Sequence, residues 1–242
     1  MDTRTSILEA AASLLASSPT ADVSTRAVCE AAGVGAPTLY RHFGDKEGLL
    51  SAVVDHGFEQ YLAVKRARKP SADPVEDLRD GWDSHVAFAV SNPSYYRLMH
   101  SPTVTSTPEA AREAYRILVS DLERCAAAGR LRLSPDAAAQ MIMSANVGVA
   151  LMLVSRADTY PPGVSTRVRD AIHAAVLTPA PNAEEAHGQG APAPVNTAAA
   201  SLSVLLRQSP PDSLSEAESL LLQEWLTRLS DAPRKTSEGA QQ

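Results

Sequence analysis

Between Ser24 and Lys46 the sequence encodes two short helices so close together that they must cross and pack on one another. Ser24 is a residue type that caps helix starts, and after it Ala27, Val28, Ala31 and Ala32 fall on one helical side. Gly33 suits the left-handed position that ends a helix. A turn of three or four residues follows. Pro37 then fits the first turn of a second helix, Leu39 and Phe43 lie four apart and face inward, and Gly44 closes it. Two helices joined across residues 33–35, the second short and polar on its outer side, make a helix-turn-helix whose second helix can enter a DNA major groove. Spacing of this kind also occurs in plain helical bundles, so it does not decide the function.

The rest of the chain repeats the helical pattern, with abundant Ala and Leu and no sustained alternation rich in β-branched residues, so the expected fold class is all-α. Helix one is expected over residues 3–17, with Ile7, Leu8, Ala11, Leu14 and Leu15 along one face and Pro19 after its end. Asp45 caps helix four, which carries Leu49, Leu50, Val53, Val54, Phe58, Tyr61 and Leu62 and ends at Pro70. A larger second domain follows, with helices expected at 74–91, 93–100, 108–128, 135–157 and 164–177. Residues 179–195 are rich in Pro, Ala and Gly and read as a flexible linker. Two more helices come after it, the last over 215–230 with Ser215 and Glu218 at capping-box spacing. Thus 1–62 forms a three-helix headpiece whose fourth helix continues to about 70, 73–230 is the helical regulatory and dimerisation domain, and 231–242 is a disordered tail.

Several classes of function are excluded on composition. With 44% hydrophobic and 21% charged residues, the chain matches ordinary globular proteins. Its longest apolar run, 141–154, is interrupted by Ser144 and Asn146 and falls short of the roughly 20 residues that span a bilayer, so no membrane partner is expected. The N-terminus lacks the pattern of a signal peptide, which places the chain in the cytoplasm. Cys29 and Cys125 are too few for a disulfide framework and read as packing residues. His85 and His100 have no partners at ligand spacing, so no metal site is assigned, and no cofactor is implied. There is no phosphate loop, nucleophile elbow or His-Glu-x-x-His, hence no catalytic residue. The net charge of −6 rules out binding nucleic acid through bulk charge. Even the first fifty residues set Arg4, Arg26, Arg41 and Lys46 against Asp2, Glu9, Asp22, Glu30, Asp45 and Glu47. Any DNA contact must therefore come from local geometry.

The stretch STRAVCEAAGVGAPTLYRHFGDKEGLL resembles the N-terminal domain of the tetracycline-repressor (TetR) family. The shared elements are the Ala32-Gly33-Val34 turn, the Thr-Leu-Tyr-x-His-Phe helix at 38–43, and Lys46 opening the next helix. Arg4, Ile7, Ala11, Ala12 and Leu15 fit the upstream helix, so the likeness covers residues 3–62. Further on, NPSYYRLM resembles a segment of one C-terminal subgroup. The resemblance implies a homodimer on a palindromic double-stranded operator, acting as a transcription regulator. Thr38 offers a methyl for thymine and a hydroxyl for phosphate or a base edge, and Pro37 adds apolar contact. Tyr40, His42 and Lys46 occupy positions that in the family mostly meet phosphate, which fixes register. Thr25 and Arg26 reach the same strand. Against this stand plain roles: Tyr40 as packing, Lys46 as a solvated cation, Arg26 as an exposed side chain. The chain departs from the family at Gly35-Ala36-Pro37, where Ser-Lys-Gly is frequent, and so lacks a basic side chain at the start of the recognition helix.

For the second domain the resemblance implies a small-molecule pocket and a helical dimer interface. Met99, Met141, Met143 and Met152 fall there with Trp82, His85, Phe88, Tyr95, Tyr96 and Tyr115, in a chain only 5% aromatic. An apolar effector is expected between the helices carrying Trp82, His85, Tyr96, Met99, Met143 and Asn146; the competing reading of each is ordinary core. Dimerisation is assigned to helices 135–157 and 215–230, whose apolar faces are broad. Repression needs only promoter occupancy and is preferred to activation. The alternative is a helical ligand-binding or scaffold protein of the same fold without specific DNA binding.

Overall fold

The computed structural model describes residues 2–18, 23–102, 104, 107–161, 163–179 and 194–232, and among them every named element is a helix. Helix α1 (Thr3–Ala16) buries Ile7, Leu8, Ala11 and Leu15, the face expected from its spacing. Pro19, expected to stop it, lies outside the described residues. Helix α2 (Thr25–Ala32) buries Val28 and ends at Gly33, whose φ of 66° and ψ of 32° place it in the left-handed region. Ser24 does stand at its start, but its side chain makes no capping bond; the first turn is closed by the Val28 amide donating to the Ser24 carbonyl at 3.0 Å. Helix α3 (Ala36–Phe43) seats Leu39 fully in the core with Phe43 packed partly against it, and Gly44 ends it at φ 80°. Asp45 caps α4 (Lys46–Ala67), accepting from the Gly48 amide at 2.7 Å.

Helix α4 stops at Ala67 rather than running on to Pro70. Arg68 turns extended because its guanidinium is held elsewhere, donating to Asp121 at 2.6 Å and to the Asp77 carbonyl at 2.9 Å. The second domain comprises α5 (Pro74–Ser91), α6 (Pro93–Met99), α7 (Glu109–Ala127), α8 (Pro135–Ser155), α9 (Gly163–Val176), α10 (Val195–Gln208) and α11 (Glu216–Ser230). Helices α5, α7 and α8 pack on one another, α9 covers α8 and touches α5, and α10 joins α11 to α7. One antiparallel bridge, Leu131 with Leu177, ties the α7–α8 connection to the end of α9. Helix α6 packs on both α1 and α4, so the headpiece is fastened to the larger domain.

Three expectations change. Helix α8 is longer than the apolar run that marks it: by length and composition its 21 residues are enough to cross a membrane, but here it packs on α5, α7 and α9 with Asn146 buried among them. The expected linker 179–195 is shorter, because Pro194 caps α10 and Val195 begins it; residues 180–193 lie outside the description. Asp231 does not belong to a loose tail, since its carboxylate accepts from the Ser134 amide and hydroxyl, each at 2.9 Å, fixing the end of α11 to the start of α8. The rest of the tail, 233–242, is outside the description. Both cysteines are free thiols, Cys125 fully buried and Cys29 half-buried.

The turn between α4 and α5 is held by a buried carboxylate. Asp77 is 2% exposed and accepts from Arg124, from the Ser71 amide at 3.0 Å and, at 3.4 Å, faces Arg68; Arg124 in turn donates to the Ser71 carbonyl at 2.6 Å. Burial alone would push the Asp77 carboxyl up, but the bonds from Arg124 and the Ser71 amide and the nearby arginine charges hold it below the usual carboxylate value. Because its folded pKa is depressed, the ion pair stabilises the fold above the unfolded carboxyl's pKa of about 3.9, and that contribution is lost as pH falls through the folded value. Asp77→Asn should cost about 2 to 4 kcal/mol at pH 7, below the full figure for a buried pair because both arginines reach solvent. In urea denaturation the gap between variant and wild type should close as the pH is lowered past 3.9; a gap independent of pH would refute the assignment.

Candidate nucleic-acid interface and regulatory cavity

Leu39 anchors α3 with no exposed surface, so the opposite side of the helix must face solvent. That side presents Pro37, Tyr40 (42% exposed) and Arg41, with Thr38 and His42 half-buried at its edges. Arg26 is also exposed at the start of α2, but it is not idle: its Nε donates to Glu30 at 3.1 Å, one turn on. Thr25 and Lys46 are half-buried at the first turns of α2 and α4. All seven expected contact residues thus lie on the α2–α3–α4 side of the headpiece, with Thr25, Thr38, His42 and Lys46 less exposed than expected of groove contacts. Arg41 was missed; its position, between Tyr40 and His42 on the exposed side of the short second helix, was a readable signal. Arg4 stacks its guanidinium 5.3 Å from the Phe43 ring centre, linking α1 to the end of α3.

The angle between α3 and α4 is set by a glycine. A Cβ built on Gly48 would stand 2.1 Å from the Phe43 carbonyl oxygen, so only glycine lets the end of α3 sit this close to the start of α4. A second glycine does the same at mid-helix, where a Cβ on Gly57 would lie 2.2 to 2.7 Å from atoms of the Tyr95 ring in α6.

Beyond Gly57, α4 forms one wall of a cavity of about 710 Å³ with residues of α5, α6, α7 and α8. Phe58 contributes from α4, and its ring stacks tilted on Phe88 at 4.4 Å. His85, Met99, Tyr115, Met143 and Val147 complete most of the apolar surface. Glu109, Arg112 and Arg116 line it at one end, where Glu109 accepts from Arg112 at 2.9 Å and also pairs with Arg116. Burial pushes the His85 imidazole down to about 3, with the Lys65 charge and His100 adding to the effect, so it is neutral at pH 7 and its Nε2 shares a 2.8 Å hydrogen bond with the Tyr96 hydroxyl.

Of the six expected effector residues, His85, Met99 and Met143 line this cavity. Tyr96 has no exposed surface and stands behind His85. Trp82 and Asn146 line an adjoining crevice of about 30 Å³ that shares His85, Ala114 and Met143 with the cavity. Trp82 donates from Nε1 to the Ser165 hydroxyl at 3.0 Å, Asn146 donates to the Trp82 carbonyl at 3.3 Å, and the Asn146 Oδ1 is buried without a partner. Phe58 and the Glu109–Arg112–Arg116 group were not anticipated. The former sits on a helix read as headpiece core; the latter shows only as i, i+3, i+7 charge spacing.

Residues 7–53, covering α1 to the first turns of α4, match the family described as bacterial regulatory proteins, tetR family. Over that segment the chain is similar to the tetR family. It is 29% identical over 112 residues to the nucleoid occlusion factor SlmA of Marinomonas sp. (strain MWYL1), covering 46% of this chain and 57% of that protein. It is 29% identical over 161 residues to the HTH-type transcriptional regulatory protein RaaS of Mycobacterium tuberculosis, covering 64% of this chain and 73% of that one. The first of these alignments therefore spans little more than half the relative's length. In fold, the chain resembles the fatty acid degradation regulator FadR from Bacillus halodurans, with a TM-score of 0.57, 18% identity, and coverage of 71% of this chain and 95% of that one. The all-α architecture of a tetR-type headpiece followed by a helical domain is thus shared with solved structures.

If the tetR-type docking side is used, Thr38→Ala should relax preference at particular bases by about 1 kcal/mol. Lys46→Ala should weaken all sequences alike and lower the slope of log affinity against log salt by about one. Fluorescence anisotropy with labelled duplexes across a salt series measures both, and unchanged affinity in both variants would refute the docking side.

Proposed function

We propose that this chain is a cytoplasmic homodimeric DNA-binding repressor of transcription, released from a palindromic operator when a small apolar ligand fills the cavity around His85. The observation that carries this reading is the double duty of α4. At one end Gly48 fits under the Phe43 carbonyl of the recognition helix, and ten residues on, about 15 Å along the helix, Phe58 lines the cavity. A ligand pressing on Phe58 has a single rigid element between itself and the recognition helix. For this to be allosteric the ligand must bind one headpiece position better than another, and a cavity that α4 walls together with four other elements would change shape if α4 moved.

Two exposed apolar faces support the dimer. On α8, Met141 and Met152 are 38% and 36% exposed along one side. On α11, Leu221, Trp225 and Leu229 are 44%, 52% and 48% exposed at four-residue steps, while Leu226 faces α10. A second copy covering both faces would bury them as a monomer does not. RaaS is named as a transcriptional regulatory protein, which favours a regulator here over an enzyme.

Thermal melting of the protein against a panel of lipophilic compounds tests the ligand reading. A binder at a hundredfold excess over its dissociation constant should stabilise the fold by about 2.7 kcal/mol. The same compound should release a bound duplex, and Tyr115→Ala, which opens the cavity wall from a half-buried position, should weaken both effects together. DNA binding that survives every compound that raises the transition would separate the cavity from the headpiece.

A further inference from the structure

Away from the headpiece, and sharing no residue with the cavity around His85, a second groove of about 650 Å³ opens between α5, α9 and the segment that bridges Leu131 to Leu177. Its wall holds four arginines, Arg79, Arg130, Arg132 and Arg169, and two carboxylates, Asp73 and Asp170, in a chain whose net charge is −6. Both carboxylates are engaged. Asp73 caps α5 by accepting from the Val75 amide at 2.9 Å. Asp170 accepts from Arg169 at 3.0 Å, and Arg169 also pairs with Asp83 at 2.5 Å. The other three guanidiniums have no ion pair among the described residues. Arg130 and Arg132 alternate along an extended segment and so share a side. Each is tethered through Nε to a backbone carbonyl, Arg130 to Thr178 at 3.4 Å and Arg132 to Leu177 at 2.6 Å, and both side chains line the groove. Arg79 approaches from α5.

The second observation is a buried side chain lacking what it needs. His173, in α9, is 5% exposed and lines the groove, and both of its ring nitrogens are buried without a hydrogen-bond partner. Burial, helped by the Arg169 and Arg79 charges and opposed by Asp170, lowers its pKa to about 4, so the ring is neutral and has one donor and one acceptor unmet. Buried polar groups are seldom left so, and an orphaned imidazole beside unpaired guanidiniums marks a place for a ligand.

We propose that this groove binds a small phosphate-bearing molecule, with Arg79, Arg130 and Arg132 holding the oxyanion and His173 bonding to the same molecule. The guanidinium fork matches phosphate oxygens two at a time, and three such groups offer more charge than a lone carboxylate can use. The volume falls within the range of small-molecule sites, which leaves room for an organic portion beside the phosphate. The site stands whether or not the cavity around His85 takes an effector.

Isothermal titration calorimetry of the full chain with inorganic pyrophosphate tests the proposal, with sodium benzoate as the singly charged control. Saturable binding of pyrophosphate, and much weaker binding of benzoate, is expected. Arg79→Gln, an exposed position whose loss does not threaten the fold, should weaken pyrophosphate at least tenfold, equivalent to about 1.4 kcal/mol. Arg132→Lys keeps the charge but not the fork and should weaken it severalfold. Arg112→Gln, at the other cavity, should leave it unchanged. In NMR the His173 ring signals should move on adding pyrophosphate while those of His85 stay. Absence of saturation at millimolar pyrophosphate, equal binding by wild type and Arg79→Gln, or unmoved His173 signals would each overturn the proposal.

Discussion

Tyr95 of α6 lies directly on Gly57 of α4, and this contact joins the headpiece to the larger domain. An added methyl there would stand within 2.7 Å of three ring atoms, so α4 and α6 are in contact at a separation that no other residue at 57 permits without movement. Because α6 also packs on α1, this contact settles where the headpiece sits, and through α4 it settles where the cavity wall at Phe58 sits as well. The Asp77 ion pairs fix the far end of the same helix by tying the 68–77 turn to α7. Helix α4 is thereby held at its start by Gly48, at its middle by Gly57 and just beyond its end by Arg68. A helix constrained at three points moves as a body or not at all, the property a coupling element requires.

Electrostatics do not help the headpiece toward DNA. The chain is acidic, the family's frequent basic residue before the recognition helix is replaced by Ala36, and Arg26 is already paired to Glu30. Any DNA contact must rest on the few groups that α3 exposes, Pro37, Tyr40 and Arg41, with Thr38 half-buried at their edge and Lys46 at the start of α4. Four arginines of the second domain instead gather in the groove beside His173, away in sequence from the docking motif.

What the sequence revealed follows from how local each cause is. Gly33 and Leu39 were legible because a left-handed helix end and an inward helical position depend on neighbours a few residues away. The capping box at Ser215 and Glu218 was legible for the same reason. Ser24 stands at the N-cap, as its residue type suggests, but whether its side chain closes the capping bond depends on local geometry, and here it does not. The cavity was half legible: His85, Met99 and Met143 were named, but Tyr96, Trp82 and Asn146 have the same composition and lie behind or beside it. Which of several apolar helix positions borders a void is decided by how helices cross, and that is not written in any one helix. The arginine groove was invisible because Arg79, Arg130, Arg132 and His173 come together only in the folded chain.

The most direct test of this account is a double-mutant cycle on Gly57 and Tyr95, read by urea denaturation. Gly57→Ala alone should destabilise the protein by about 1 to 2 kcal/mol, since the overpacking cost exceeds the gain of about 1 kcal/mol from replacing glycine within a helix. In a Tyr95→Ala background the ring is gone and only the helical gain remains, so the same Gly57→Ala change should become neutral or stabilising. Effects that add to within about 0.5 kcal/mol in the two backgrounds would show that the contact does not constrain α4, and the account of α4 as the coupling element would fail.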